Sequence, residues 1–311
     1  MHILVTGGAG FIGANLCQAL ERAGHRATAF DDLSTGFAEN LDGTDTELIV
    51  GSILDPEAIN AAVADADTVV HLAARPSVPR SVADPVPSHH VNATGTVNVL
   101  EAARQDGLRH VITAGSSSVY GANPILPKHP DLAPRPVSPY AASKLAAESY
   151  TLAYGHSYGL PTLSFRFFNV FGPLQPAGHA YAAVVPAFVD AALDGRPLPV
   201  HGDGTQTRDF TFVDTLTAVV VDAVERQVTS PEPVNLAYGT RTDLLTIIDE
   251  MRDLLDDPIE IEFQPARTGD VPHSQADDSQ IRALFPTVVP TPIQTGLKAT
   301  IDWMRGLRQT P

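Results

Sequence analysis

With a single cysteine, Cys17, in 311 residues, the chain can close no internal disulfide and build no cysteine-ligated metal site. A reducing compartment suits such a chain, and a cytoplasmic location is expected. No apolar run reaches the ~18 residues needed to cross a bilayer. Met-His-Ile-Leu-Val opens directly as a strand, with no basic n-region and no cleavage site, so no signal peptide is expected. Positive charge is also scarce: Lys plus Arg is 20 against 36 for Asp plus Glu, a net charge of −16, and Lys128, Lys144 and Lys298 are the only lysines. That field repels nucleic acid and anionic membranes, and neither is expected as a partner. It also means that an anionic ligand must be held by locally placed cations. The eleven histidines form no His-x-x-x-His pair, and His89-His90 read as a helix start, so no metal is expected.

What the chain does contain is ordinary globular material, 43% hydrophobic and 18% charged. Segments 2–5, 27–30, 47–50, 68–72, 110–114 and 162–167 are short and rich in Val, Ile, Leu or Phe. Helical spacing fills 11–23, 56–64, 91–105 and 141–157 between them. Pro56 suits a first helical turn, with Asp55 as its N-cap. Alternating strands and helices predict an α/β fold, a Rossmann doubly wound parallel sheet with right-handed crossovers. Beyond about residue 170, Pro and Gly cluster at 172–178 and 195–204, with helical spacing at 180–194, 214–226 and 242–255. The expected division is a nucleotide-binding domain over 1–170, with some later segments returning to it. A smaller α/β substrate-binding lobe over 171–311 would sit at the C-terminal edges of the strands, where open sheets bind ligands.

The first strand runs into Gly7, Gly10 and Gly13 and opens a helix. A glycine turn there lets backbone N–H groups approach a pyrophosphate. Asp31 follows Gly13 by 18 residues at the end of the second strand, the context that marks a dinucleotide fingerprint. An acid there accepts hydrogen bonds from ribose hydroxyls and repels a 2′-phosphate, so NAD is the expected cofactor. Tyr140-Ala-Ala-Ser-Lys144 puts a phenol and an ammonium on one helix face at i, i+4 spacing. Such a pair alone is a common helix face. One crossover after the fifth strand, beside a nicotinamide, the two positive charges would favour a phenolate that takes a proton from a carbinol. The fifth strand ends in Thr113-Ala-Gly-Ser-Ser-Ser-Val-Tyr-Gly121, and a hydroxyl there can hydrogen-bond the reacting oxygen.

Taken together, Thr6–Gly13, Asp31–Gly36, His71-Leu-Ala-Ala74, Val91–Thr96, Ser116–Gly121, Tyr140–Lys144, Arg166–Pro173, Gly202–Phe210 and Pro265–Val271 cover nearly the whole chain. On them the sequence resembles the sugar-nucleotide epimerase/dehydratase family of extended short-chain dehydrogenases/reductases. It is most similar to the UDP-glucose and UDP-N-acetylglucosamine 4-epimerases. The resemblance implies Ser116 as catalytic hydroxyl, Tyr140 as base and Lys144 as its activator. It implies an NAD site built from Gly7, Gly10, Phe11, Ile12, Gly13, Asp31, Asp32, Ser34, Thr35, Gly36, Ser52, Ile53, Leu72, Ala73, Ala74, Asn92, Ala114, Tyr140 and Lys144. Phe167 would lie beside the nicotinamide. For a UDP-sugar it implies Ser116, Ser117, Tyr140, Asn169, Val184, His201, Arg208, Arg267, Asp270 and Ser274, with both arginines on the diphosphate. Ser52 stands where family members often carry an Asp that contacts adenine, and His201 where an aromatic ring often meets uracil.

Family dehydratases and decarboxylases carry an acidic residue, often Asp-Glu, after the catalytic hydroxyl. Here those positions are Ser117 and Ser118, which leaves oxidation and re-reduction at C4 and favours epimerisation. Ser274 stands where a bulky aromatic often narrows the sugar pocket, so room for a 2-acetamido group is expected. Other readings of the same residues stay open. They are an epimerase or a reductase for dTDP- or CDP-sugars, or a non-catalytic NAD-binding module. A homodimer through a four-helix bundle of helices 91–105 and 141–157 is the family's usual assembly.

Overall fold

The computed structural model describes residues 1–177, 182–255, 258–265 and 273–309. The chain enters as β1 (His2–Thr6), α1 (Phe11–Arg22), β2 (Arg26–Asp31), β3 (Glu47–Val50), α2 (Pro56–Val63) and β4 (Thr68–His71). Two short proline-bearing helices, α3 (Val78–Ala83) and α4 (Pro85–His89), lead through a π turn at His90–Thr94 into α5 (Gly95–Asp106). Then come β5 (Val111–Ser116), α6 (Pro139–Tyr158) and β6 (Thr162–Phe167). The strands shorten beyond this point. The order is β7 (Asn169–Phe171), α7 (Val184–Leu193), β8 (Leu198–His201), β9 (Thr207–Arg208), β10 (Phe210–Phe212) and α8 (Val213–Arg226). It closes with β11 (Val234–Leu236), β12 (Thr242–Asp243), α9 (Leu244–Leu254), β13 (Ile261–Gln264), α10 (Ser279–Leu284) and α11 (Ile293–Gln309).

Seven strands make one sheet in the order β11-β6-β5-β4-β1-β2-β3, every pair parallel. This is the doubly wound Rossmann arrangement expected. From β1 the chain builds outward to β2 and β3, then crosses to β4 on the other side. The crevice at the C-terminal ends of β1 and β4 is therefore a topological switch point. Alternation along each strand feeds two apolar layers: Ile3 and Val5 of β1 face α1, α8 and α10, whereas Leu4 faces α2 and α5. All three are fully buried, worth about 1.5–3 kcal/mol each.

The helix ends follow their sequence signals. Asp55 accepts from Glu57 N and Ala58 N at 3.0 and 3.2 Å ahead of Pro56. Ser138 caps α6 by accepting from Ala141 N at 3.1 Å, and Gly159, at φ 68, ends it in the left-handed region. The expected helix over 91–105 begins instead with the π turn, which buries Asn92. β11 and α11 lie outside the elements expected. Val-Asn-Leu is too short to show a strand period. Past residue 171 the chain returns to the sheet: β11 extends its edge and α8 covers α1. A second apolar layer, with Phe188, Val200, Ile247, Ile248, Met251 and Ile301, joins α7, α9 and α11 to β8 and β10. Among the described residues no helix is long and apolar enough to cross a membrane.

Candidate active site

A cleft of about 1020 Å³ opens at the switch point. Its floor is the glycine turn. Gly7 sits at φ +72 with Ala73 N only 2.7 Å from where a Cβ would be, and a Cβ on Gly13 would fall 2.1 Å from Gly7 O. Nothing but hydrogen fits at either position. Gly10 caps α1 with no side chain, which leaves the helix N-terminus facing the cleft. Asp31, nearly buried, accepts from Ala9 N at 3.0 Å and Leu33 N at 2.9 Å. It thus ties the glycine turn to the end of β2. Burial pushes its carboxyl above the ordinary value, and those two hydrogen bonds oppose the rise.

Seventeen predicted cofactor residues line this cleft: Gly7, Gly10, Phe11, Ile12, Gly13, Asp31, Asp32, Ser34, Thr35, Ile53, Leu72, Ala73, Ala74, Ala114, Tyr140, Lys144 and Phe167. Gly36, Ser52 and Asn92 do not. Ser52 is turned to local use, its Oγ accepting from Leu54 N at 3.2 Å ahead of α2. Asn92 acts behind the wall: its Oδ1 accepts from Arg75 N at 2.7 Å, and its Nδ2 donates to Arg75 O and to Ser143 Oγ at 3.2 and 2.9 Å. A directed chain supports the same wall. Thr96 Oγ1 donates to Asn92 O at 2.7 Å, so it must accept from His71 Nε2 at 3.0 Å. His71 Nδ1 then accepts from Thr6 Oγ1 at 2.7 Å, and Thr6 Oγ1 accepts from Ala73 N at 3.3 Å. His71 is neutral in this role. Burial, then the nearby Lys144 charge, pulls its pKa down to about 3.

At the far end of the cleft, Ser116 ends β5 while Tyr140 and Lys144 project from the first turns of α6. Lys144 Nζ donates to Ala114 O at 2.8 Å, and burial lowers its pKa to about 8. Burial pushes the Tyr140 phenol above its ordinary value, and a hydrogen bond with Ser116 works against that rise. The base-bearing turn is held from outside its own helix by fully buried Ser81, whose Oγ accepts from Tyr140 N at 3.0 Å. Behind β5 and β6, Arg166 makes a two-pronged pair with Glu148 at 2.8 and 2.7 Å, both side chains almost fully buried.

A second cavity of about 390 Å³ adjoins the first, with Phe168, Val170 and Ala183 common to both walls. It collects Asn169, Val184, His201 and Arg208, four predicted substrate residues from β7, α7, β8 and β9. Ser117 and Ser274 are not on its lining. Ser274 packs along β9, donating from its N–H to Thr207 O at 3.0 Å. Arg267 and Asp270 lie outside the described residues. Asp209 joins three segments around this cavity. Its carboxylate accepts from Thr240 Oγ1 and Ala276 N at 2.8 and 3.0 Å, and its carbonyl accepts from Asn169 N and Nδ2 at 3.2 and 3.1 Å. Burial pushes its pKa to about 6. Sequence reasoning also passed over Arg75, Arg80, Gln175 and Phe168 on the cofactor cleft, and Gln206 and Pro199 on the smaller cavity. The scarcity of cations was a usable signal for the two arginines. Phe168 and Gln206 lie inside the motifs Arg166–Pro173 and Gly202–Phe210, and no local signal marks Gln175 or Pro199.

Residues 3–237 match the NAD dependent epimerase/dehydratase family. The chain belongs to that family. A UDP-glucose 4-epimerase of Mycolicibacterium smegmatis is 37% identical over 99% of this chain and 100% of its own length. A UDP-N-acetylglucosamine 4-epimerase from Methanobrevibacter ruminantium, solved in complex with UDP-N-acetylmuramic acid, superposes with a TM-score of 0.93 at 33% identity, covering 98% of each chain. A UDP-glucose 4-epimerase from Thermus thermophilus in complex with NAD gives 0.89 at 33% identity, over 98% of this chain and 99% of that one. The cofactor of the NAD dependent epimerase/dehydratase family fits the larger cleft. A Cβ at Gly7 or Gly13 would strike backbone, that of Ala73 or of the turn itself, so the close turn at the helix N-terminus exists only with glycine there. Two orphaned buried polar atoms of lining residues, Arg75 Nε and Gln175 Oε1, offer a donor and an acceptor to a dinucleotide.

Proposed function

We propose that this member of the family inverts C4 of a UDP-hexose, UDP-glucose/galactose and UDP-GlcNAc/GalNAc, through a 4-keto intermediate. The observation that carries the reading is the junction of Ser116, Tyr140 and Lys144 with a second cavity bearing Arg208 and Asn169, and with serines rather than carboxylates at 117 and 118. The relatives named as UDP-sugar 4-epimerases support it.

The glycine turn Gly7–Gly13 and Asp31 would hold NAD, which when bound would supply the hydride acceptor and donor for C4. The protein's own groups manage the proton and the geometry. Tyr140 Oη removes the proton from the C4 hydroxyl as the carbonyl forms and gives it back on reduction. The Lys144 ammonium stabilises the phenolate against the burial that opposes it. Ser116 donates to the oxygen on which charge develops. Arg208 and Asn169 hold the diphosphate while the 4-keto sugar turns over, since a released intermediate ends the cycle; a guanidinium fork suits that grip. By the resemblance alone, a serine at 274 leaves space for an acetamido group; its own backbone pairs with Thr207, beside Arg208 and off the cavity lining. A dimer through α5 and α6, adjacent helices with Tyr150 and Tyr158 exposed on α6, completes the reading.

The test is to purify the protein, release and identify bound NAD, and follow UDP-GlcNAc, UDP-glucose and dTDP-glucose by NMR for C4 inversion. Tyr140→Phe is expected to keep NAD and lose about 10³-fold in kcat. Full turnover in that variant overturns the mechanism. Ser274→Tyr is expected to lower turnover of N-acetylated sugars relative to plain ones. An unchanged ratio removes the acetamido part of the reading.

A further inference from the structure

Ser118 lies two residues past Ser116, the hydroxyl that the cleft chemistry draws on, and its geometry bears on what Ser116 can do. Ser116 is the last residue of β5 and caps the 3-10 turn Ser117–Tyr120, its Oγ accepting from Ser118 N at 3.2 Å. The same oxygen accepts from Ser118 Oγ at 2.8 Å. A hydroxyl has two lone pairs and one proton. With both lone pairs taken by Ser118, Ser116 is left as a donor only.

We infer that Ser118 is a positioning residue that makes Ser116 an obligate hydrogen-bond donor, its one proton given to the Tyr140 oxygen before substrate binds and to the reacting C4 oxygen once substrate is bound. The inference rests on the C4 chemistry proposed above for its catalytic consequence, and on geometry alone for the hydrogen bonds. A freely rotating serine presents a lone pair to its neighbours as readily as a proton. A lone pair facing a phenolate or an alkoxide is repulsive, and reorienting the hydroxyl during the reaction costs part of the stabilisation that a fixed donor gives.

Ser118 is itself held fast. The turn that carries it ends at Tyr120, buried, with its Oη donating to Asn235 Oδ1 at 2.6 Å and its ring 4.7 Å from the Arg166 guanidinium. Val119, between them, is fully buried, and Gly121 closes the turn where a Cβ would strike Arg135 O at 2.0 Å. Supports of this kind are what hold a reacting group in one orientation. The contact with Ser116 also favours the ionised form of Tyr140, as a donating serine should.

The experiment compares wild type, Ser118→Ala and Ser118→Thr as NAD-loaded holoenzymes. Two readouts are taken: spectrophotometric titration of tyrosinate, with Tyr140→Phe subtracted, and kcat and KM across the pH range. Ser118→Ala is expected to move the Tyr140 titration to higher pH by about half to one unit and to lower kcat about 5–20-fold. KM should stay within about twofold and NAD content should not change. Ser118→Thr, which keeps the hydroxyl, should restore most of both. The idea is overturned if Ser118→Ala leaves the titration and the kcat profile where they are in wild type. It is also overturned if the loss in kcat comes with an unmoved titration and no rescue by threonine. If wild type inverts no UDP-hexose but the titration still moves in Ser118→Ala, the functional reading fails and the hydrogen-bond assignment stands.

Discussion

The two cavities differ in how they are built. The cofactor cleft is walled by the ends of parallel strands of four to six residues and by backbone held in place by buried side chains. Asp31 pins Ala9 N, and Thr6, His71 and Thr96 pin Ala73 N and Asn92 O. The smaller cavity is walled by strands of two to four residues and by side chains from α7, joined through the single buried carboxylate of Asp209. On the function proposed above, the sheet side would hold the group that stays through every turnover, and the more segmented wall would surround the group that enters, turns and leaves.

The contrast can be broken first behind the sheet ends. Arg166→Leu strands Glu148 as a buried, unpaired charge beside β5, and is expected to cost about 3–5 kcal/mol in a urea titration. A loss below 1 kcal/mol would mean that the rigid side does not rest on this pair. Next, Gly13→Ala forces a Cβ onto Gly7 O and should weaken NAD retention on the order of 100-fold. UDP binding measured by calorimetry should change less than about threefold, and equal losses at both cavities would erase the distinction between them. Arg208→Ala reverses the pattern: KM for the nucleotide sugar should rise roughly 10-fold or more while NAD stays bound, and lysine at that position should recover only part.

The smallest expected effect concerns Asp209. Its folded pKa, raised to about 6, means that burial of the charge costs stability at neutral pH. That cost disappears as pH falls through about 6 toward the ordinary carboxylate value. Protonation also removes an acceptor from Thr240 or Ala276. KM should therefore rise about two- to threefold between pH 7 and pH 5 with kcat and NAD content less affected. Asp209→Asn should flatten that dependence.

The same contrast decides what the sequence made legible. Gly7, Gly10, Gly13 and Asp31 form one contiguous strand-turn-helix-strand unit, and Tyr140 with Lys144 share one helical face, so local spacing carries their message. Arg75 and Arg80 line the cofactor cleft through a proline-rich segment with no period to read. Asn92 is legible as part of a motif, but its place behind the wall depends on a π turn that spacing does not signal. In the smaller cavity Asn169, Val184, His201 and Arg208 come from four separate elements. They were reached through family resemblance rather than through pattern, and the same resemblance placed Ser274 nearer the cavity than its packing along β9 puts it. β11 escaped because three residues are a strand only when β6 is already there to pair with.

The return of α8 and β11 to the sheet has a consequence for biosynthesis. When the first 170 residues have left the ribosome, every strand of the cofactor half except its outermost edge has been made. The layer over Val5, Phe165 and the inner side of α1 still waits for Leu216, Val219, Val220 and Val224 of α8. A nascent chain paused at that length exposes an apolar face and an unpaired edge at β6, both openings for aggregation. The nucleotide half therefore cannot finish folding before the other half is under way. Cutting the gene at the apparent boundary would yield an insoluble fragment rather than a small NAD-binding protein.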